Sequence, residues 1–342
     1  MSEPAAKKKS TRKKAAPEIA ERKLKEMDGL IPLLPALPLI SEPSIEAFAG
    51  EYEGASGEQL FVRRTKVFEP SATRAVYVHG LGGSSLNWTD LMYLLAPTLP
   101  GIALDLPGFG FSDPPRARDY SIGRHAEAVI ETIERDGNGP VHLFGNSMGG
   151  AVSIRVAAER PDLVRTLTMI SPALPNQRLM PTHLMIAAQG IPVIPRILGF
   201  SHSTLTSQDR ARMMFEWCYG DPDRLRPDRF QHAIAEVERR ADLGYSMQAF
   251  IGSSRGIGRS FLPHGPSNTW RMAKRVKAPT LAIFGAKDRL VDYRVSTRVG
   301  KAFSDSLTVI MSDVGHVAQM ETPERVATLL LQRLAELGER YT

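Results

Sequence analysis

From Gln59 onward, short apolar runs bounded by Gly, Pro, Asp or Ser alternate with longer stretches whose apolar residues recur every three or four positions. That alternation admits few folds. Parallel strands need a crossover of a dozen or more residues, and an amphipathic helix serves because it buries its apolar stripe on the sheet it returns to. The strands expected are residues 60–62, 75–78, 102–104, 141–144, 167–170, 281–284 and 307–311. The helices expected are residues 86–95, 122–134, 148–159, 291–303 and 323–337, the last with Pro323 in its first turn and Val326, Leu330 and Leu334 on one face. The fold class expected is therefore α/β, with a mostly parallel, doubly wound sheet.

The alternation stops between residues 173 and 277, where Pro, Met, Arg and helical patterns dominate and no strand is evident. An inserted helical domain is expected there, dividing the core into residues 46–172 and 278–342. Two of its helices are expected at residues 208–218 and 228–243. Their stripes, Met213, Met214, Phe215 and Trp217 on the first and Phe230, Ile234 and Val237 on the second, read as ordinary core packing.

Residues 1–45 form a separate stretch. Nine Lys or Arg against five acids give residues 1–28 a charge of +4, so the chain's +6 leaves only +2 for the rest. A nearly neutral body argues against a nucleic-acid partner. The tail reads as a solvated, disordered segment, with weak contact to an anionic membrane surface as the sharper alternative. An apolar strap follows at residues 30–40. Its three prolines break any helix, it is too short to span a bilayer, and no small-residue cleavage site follows it. The expected location is cytoplasmic, peripheral at the membrane if the tail engages lipid. Cys218 is the single cysteine, which excludes an internal disulfide and a cysteine-rich metal site.

The chemistry gathers at three places. Gly145-Asn146-Ser147-Met148-Gly149-Gly150 follows one expected strand directly and opens a helix. A sharp turn there holds the serine in a strained conformation, small neighbours prevent clashes, and the helix N-terminus favours developing negative charge. A serine hydroxyl is a poor nucleophile at neutral pH, so an acid-oriented base must take its proton. Downstream, Asp288 follows the strand at 281–284 and His316 follows the strand at 307–311, in the chain order Ser, Asp, His. Asp292 and Asp313 remain alternatives to Asp288 as the acid. Of the other histidines, His142 lies inside a strand, and His125, His183, His202, His232 and His264 follow none. His79-Gly80-Leu81-Gly82-Gly83 follows the strand at 75–78, where a glycine loop can aim a backbone N–H at an oxyanion. Leu81 and Met148 are the expected backbone donors. His79, Gly80, Gly82, Gly83 and Asn146 are expected to support them.

Taken together, these blocks resemble the α/β-hydrolase superfamily over roughly residues 59–172 and 278–337. Asp105-Leu106-Pro107-Gly108-Phe109-Gly110-Phe111-Ser112 is similar to the family's segment after its fourth strand, and Glu321-Thr322-Pro323-Glu324 to its C-terminal run. The inserted helices stand where the family carries a cap. The resemblance implies a serine hydrolase that forms an acyl-enzyme and needs no metal or organic cofactor. A serine rather than an aspartate at residue 147 argues against epoxide hydrolase and dehalogenase chemistry. A carboxylesterase or monoacylglycerol-lipase-like enzyme acting on a small apolar or acyl-bearing substrate is the leading expectation. The elbow is also similar to that of carbon–carbon bond hydrolases of ring-fission products, although Val317 stands where those enzymes commonly carry tryptophan. Cofactor-free peroxidase or perhydrolase chemistry would use the same three residues. Residues 179–200 supply apolar side chains that fit either an acyl pocket or the cap's own core.

Overall fold

The computed structural model describes residues 50–338 apart from residues 56, 66–72, 177–204 and 266. The expectations for the basic tail, the strap and the apolar residues 179–200 lie outside the described residues.

Eight strands form one sheet: β1 (Gly50–Ala55), β2 (Glu58–Arg64), β3 (Ala75–Val78), β4 (Gly101–Leu104), β5 (Val141–Asn146), β6 (Val164–Ile170), β7 (Thr280–Gly285) and β8 (Ser306–Met311). Their spatial order is β1-β2-β4-β3-β5-β6-β7-β8. β2 runs antiparallel to both β1 and β4, and every pair from β4 to β8 is parallel. β1 carries no apolar run. It is an edge strand whose first five residues are exposed or half-exposed, held by its register with β2 from Gly50↔Arg63 to Ala55↔Glu58.

The helices, in chain order, are α1 (Thr89–Leu95), α2 (Ile122–Asp136), α3 (Met148–Glu159), α4 (Ser207–Cys218), α5 (Pro227–Ala241), α6 (Ser246–Ser260), α7 (Thr269–Ala273), α8 (Val299–Ala302), α9 (Ala318–Glu321) and α10 (Pro323–Glu336). Strand residues alternate between two buried faces. Val76, Val78 and Leu143 pack with Val129 and Ile133 of α2 and Val152 of α3. Tyr77 and Phe144 face the other way, with ring centroids 4.6 Å apart, and Tyr77 lies 5.3 Å from Trp88. Burying a side chain the size of Leu143 contributes about 1.5–3 kcal/mol, so this two-faced core is the chief source of stability.

Two expected helices differ in detail. Residues 85–88 form a 3₁₀ turn ahead of α1. The single helix expected at 291–303 is a 3₁₀ segment, Tyr293–Arg298, followed by the one-turn α8. Asp292 caps it by accepting from the Arg294 N–H at 3.0 Å, and buried Val295 and Val299 keep its inner face. Between β6 and β7 the described elements are helical, α4 to α7. The apolar stripe of α4 is divided: Phe215 is buried, whereas Met213, Met214 and Trp217 are each more than a third exposed.

Candidate active site

Because β3, β5, β7 and β8 are parallel, the segments that follow them emerge at one edge of the sheet, the edge where open α/β sheets bind ligands. Ser147 sits between β5 and α3 with φ 54° and ψ −117°. Non-glycine residues rarely occupy that region, at a cost of about 1–3 kcal/mol, so the surroundings must enforce it. They do so through the backbone. The Ser147 N–H donates to the Ile170 carbonyl (3.1 Å), and its carbonyl accepts from Ala173 (2.8 Å) and Gly150 (3.0 Å). A Cβ at Gly149 would stand 2.2 Å from the Val78 carbonyl oxygen, and one at Gly145 2.4 Å from the Gly149 carbonyl oxygen. The turn therefore tolerates no side chain at either glycine.

His316 and Asp288 meet directly. His316 Nδ1 lies 2.8 Å from Asp288 Oδ2, and both residues are buried. The other carboxylate oxygen of Asp288 accepts from the N–H groups of Leu290 (2.7 Å) and Val291 (2.9 Å). Burial alone would raise the Asp288 pKa. The neighbouring imidazole and these hydrogen bonds outweigh it and hold the carboxyl below its ordinary value. An ionised Asp288 favours the tautomer with hydrogen on Nδ1, which leaves Nε2 to accept a proton.

The two rival acids are engaged elsewhere. Asp313 pairs with Arg224 (2.6 Å) and Arg325 (2.9 Å) and is held down to about 2. Asp292 pairs with Arg294 at 2.7 Å. Two of the rival histidines are buried in structural bonds, His125 against the Ser253 hydroxyl at 3.0 Å and His142 against Thr166 at 2.8 Å, both with pKa lowered first by burial. His79 is fully buried. Its Nε2 accepts from the Leu106 N–H (2.9 Å), which leaves Nδ1 to donate to the Gly80 carbonyl (2.7 Å). It ties the glycine loop to the chain after β4 and has no nitrogen left for a reaction.

That loop reaches Ser147 closely. A Cβ at Gly80 would lie 3.1 Å from the Ser147 Cβ, and Gly82 has φ +71°. A Cβ at Gly83 would stand 2.2 Å from Asn87 Oδ1 and would displace the side chain that accepts from the Ser84 N–H. Leu81 lies in this turn, and Met148 is the first residue of α3, where N–H groups have no carbonyl one turn back. Gly80, Leu81, Gly82, Asn146, Ser147 and His316 all line one cavity of about 670 Å³.

Two further residues hold His316, and the motif gave no sign of how. Asn146 Nδ2 donates to the carbonyls of His316 and Ile170, both at 3.0 Å, tying the residue before Ser147 to the histidine itself. Glu321, buried, accepts from three backbone N–H groups: Gly315 (2.7 Å), Gly220 (3.0 Å) and Asp221 (3.0 Å). The His316 N–H in turn donates to the Cys218 carbonyl at 2.6 Å. The histidine loop is thereby stitched to the C-terminal end of α4. An acid shortly after the histidine and just before a helix-opening proline was the available sequence signal for Glu321. Cys218 also lines the cavity, but burial, then the Asp288 charge, push its thiol up to about 12, so it is no rival nucleophile.

A hydroxyl at a strained strand–helix turn, a carboxylate-oriented imidazole in the same cavity and backbone donors beside them are what a serine-type acyl-transfer centre requires. Residues 75–329 match the model of the alpha/beta hydrolase family, and the chain belongs to that family. It is a hydrolase. It is 26% identical to a pimeloyl-[acyl-carrier protein] methyl ester esterase of Neisseria meningitidis, over 78% of this chain and 96% of that protein. It is 28% identical to a 2-hydroxy-6-oxononadienedioate/2-hydroxy-6-oxononatrienedioate hydrolase of Pseudomonas putida, over 86% of this chain and 98% of that one. Among solved structures, a membrane phospholipase A described as a bacterial virulence factor aligns with TM-score 0.70 at 20% identity, covering 94% of this chain and 93% of that chain. At that identity the likeness shows the fold. Among the described residues, no helix is long and apolar enough to cross a membrane.

Proposed function

We propose that this hydrolase cleaves a carboxylic ester through an acyl-enzyme on Ser147. The observation that carries the reading is the His316–Asp288 pair, 2.8 Å apart, with His316 lining the cavity that the strained Ser147 also lines. His316 takes the Ser147 proton as Oγ bonds to the ester carbonyl carbon, and the N–H groups of Leu81 and Met148 hold the oxyanion. His316 then gives that proton to the departing alcohol. Water attacks the acyl-enzyme, its proton passes to His316 and on to Ser147, and the acid leaves. Asp288 stays ionised and keeps the ring oriented.

A predominantly apolar cavity suits a small apolar or acyl-bearing substrate. The Pseudomonas putida relative supports a second reading, carbon–carbon hydrolysis of a ring-fission product. Turnover of acyl esters of graded chain length, measured beside a ring-fission dienoate and with Ser147→Ala as control, separates the two. We expect ester cleavage that falls at least about a thousandfold in Ser147→Ala. Turnover of the dienoate alone would overturn the ester reading.

A further inference from the structure

Beside the cavity lies a smaller groove of about 250 Å³, bounded by Gly108, Phe109 and Gly110 after β4 and by Leu243, Ser246 and Met247 where α5 gives way to α6. Gly82, Arg240 and Phe250 line both spaces, so the wall between them is one residue thick. Gly82 contributes only backbone to it. Arg240 is held at one end, its Nε donating at 2.8 Å to Glu236, a carboxylate that also accepts from Arg239 Nη2 at 2.8 Å. Phe250, in the second turn of α6, supplies the bulk: a Cβ at Gly82 would stand 3.4 Å from its ring. The ring thus packs on the glycine loop, one residue along from Leu81.

Ser147 follows β5, which stands in the sheet between β3, the strand before the glycine loop, and β8, the strand before His316. His316 must reach the alcohol oxygen to return its proton, so the alcohol lies on the histidine side and the acyl chain leaves the carbonyl toward the glycine loop. Phe250 stands in that direction. Behind the ring the groove is largely apolar, with Phe109, Leu243 and Met247 among its walls, and both guanidinium groups already face Glu236. Hydrocarbon would lie there without stranding a charge. One side chain keeps it out.

We propose that Phe250 sets the length limit of the acyl chain, closing the cavity short of a groove that would otherwise extend it. This rests on the ester reading above and deepens it by naming the residue that decides which acyl esters fit.

Methyl esters of straight-chain acids from butanoate to dodecanoate test the proposal in wild type, Phe250→Leu, Phe250→Ala, and Phe250→Ala combined with Leu243→Trp. Leu243 lines the groove and not the cavity, so the tryptophan refills the groove from its far side. Each kcat/KM is divided by that of the same enzyme on methyl butanoate, so a loss of folded protein does not enter. In wild type the ratio should rise with chain length to a limit. We expect Phe250→Ala to move that limit by at least about two carbons, with a gain of about fourfold for each methylene that enters the groove. Phe250→Leu should move it less, and Leu243→Trp should remove the gain. No limit in wild type, a limit that stays in place in Phe250→Ala, or a gain that survives Leu243→Trp would overturn the proposal and leave ester hydrolysis intact. No turnover of any of these esters would overturn the ester reading, and this inference with it.

Discussion

Ser147 is held in its strained conformation by its neighbours' backbone, and the same reasoning extends to His316, which lines the same cavity. His316 is fixed through its own backbone: its N–H to Cys218, its carbonyl from Asn146, and the preceding N–H to Glu321. Glu321 is thus a positioning residue, and it acts without touching substrate. Glu321→Gln keeps the volume but turns one acceptor oxygen into a donor that faces backbone N–H groups. A misplacement of about 1 Å at a catalytic base costs on the order of a hundredfold. We therefore expect Glu321→Gln to lower kcat about 10- to 100-fold with KM within about threefold, and Glu321→Asp to recover part of the loss. Steady-state kinetics on a plain acyl ester checks this; an unchanged kcat in folded Glu321→Gln would show that the carboxylate merely fills space. Ser147, Asp288 and His316 were legible in the sequence because chain order and strand ends single them out. Asn146 was expected as a support, but its bond to the His316 carbonyl was not, nor was any role for Glu321, because each works through backbone groups whose proximity only folding creates.

At the scale of elements, the position of α5 decides the character of the cavity. The buried pair between Asp90 of α1 and Arg229 of α5 fixes that position, with the Arg226 guanidinium a further 3.7 Å from Asp90. Removing one partner leaves an uncompensated buried charge, so Asp90→Asn should cost about 3–5 kcal/mol. Replacing both, as Asp90→Leu with Arg229→Met, should recover most of that. Urea unfolding of the two single variants and the double variant checks it, and additive losses would contradict it. Sequence periodicity located α5 and its apolar stripe of Phe230, Ile234 and Val237, yet those residues are only partly buried, and of the three only Val237 lines the cavity, beside Arg229, His232, Glu236 and Arg240. Periodicity finds a helix without saying which face meets an internal cavity. α6 escaped because Gly252, Gly256 and Gly258 and its many serines weaken the helical signal. Two of those glycines are there for contact: a Cβ at Gly252 would meet the Tyr120 ring at 2.6 Å, and one at Gly256 the Tyr120 carbonyl at 2.9 Å. β1 escaped for a different reason, since an edge strand half in solvent needs no apolar run.

For the whole molecule, topology does what no local motif can. Residues 147, 288 and 316 are far apart in the chain, and a parallel sheet brings the ends of β5, β7 and β8 to one edge. The mostly parallel character of the sheet followed from strand–helix alternation, because parallel strands need crossovers, whereas the strand order and the antiparallel pairing of β2 with β1 and β4 did not. The central claim is that these three side chains work as one unit. It is tested most directly by mapping the site and rate of covalent labelling by a fluorophosphonate, using peptide mass spectrometry on folded wild type, His316→Ala and Asp288→Ala. The account predicts a single adduct on Ser147, formed at least about a hundredfold more slowly in both variants. An adduct on another residue, or Ser147 labelling at the wild-type rate without His316, would contradict it.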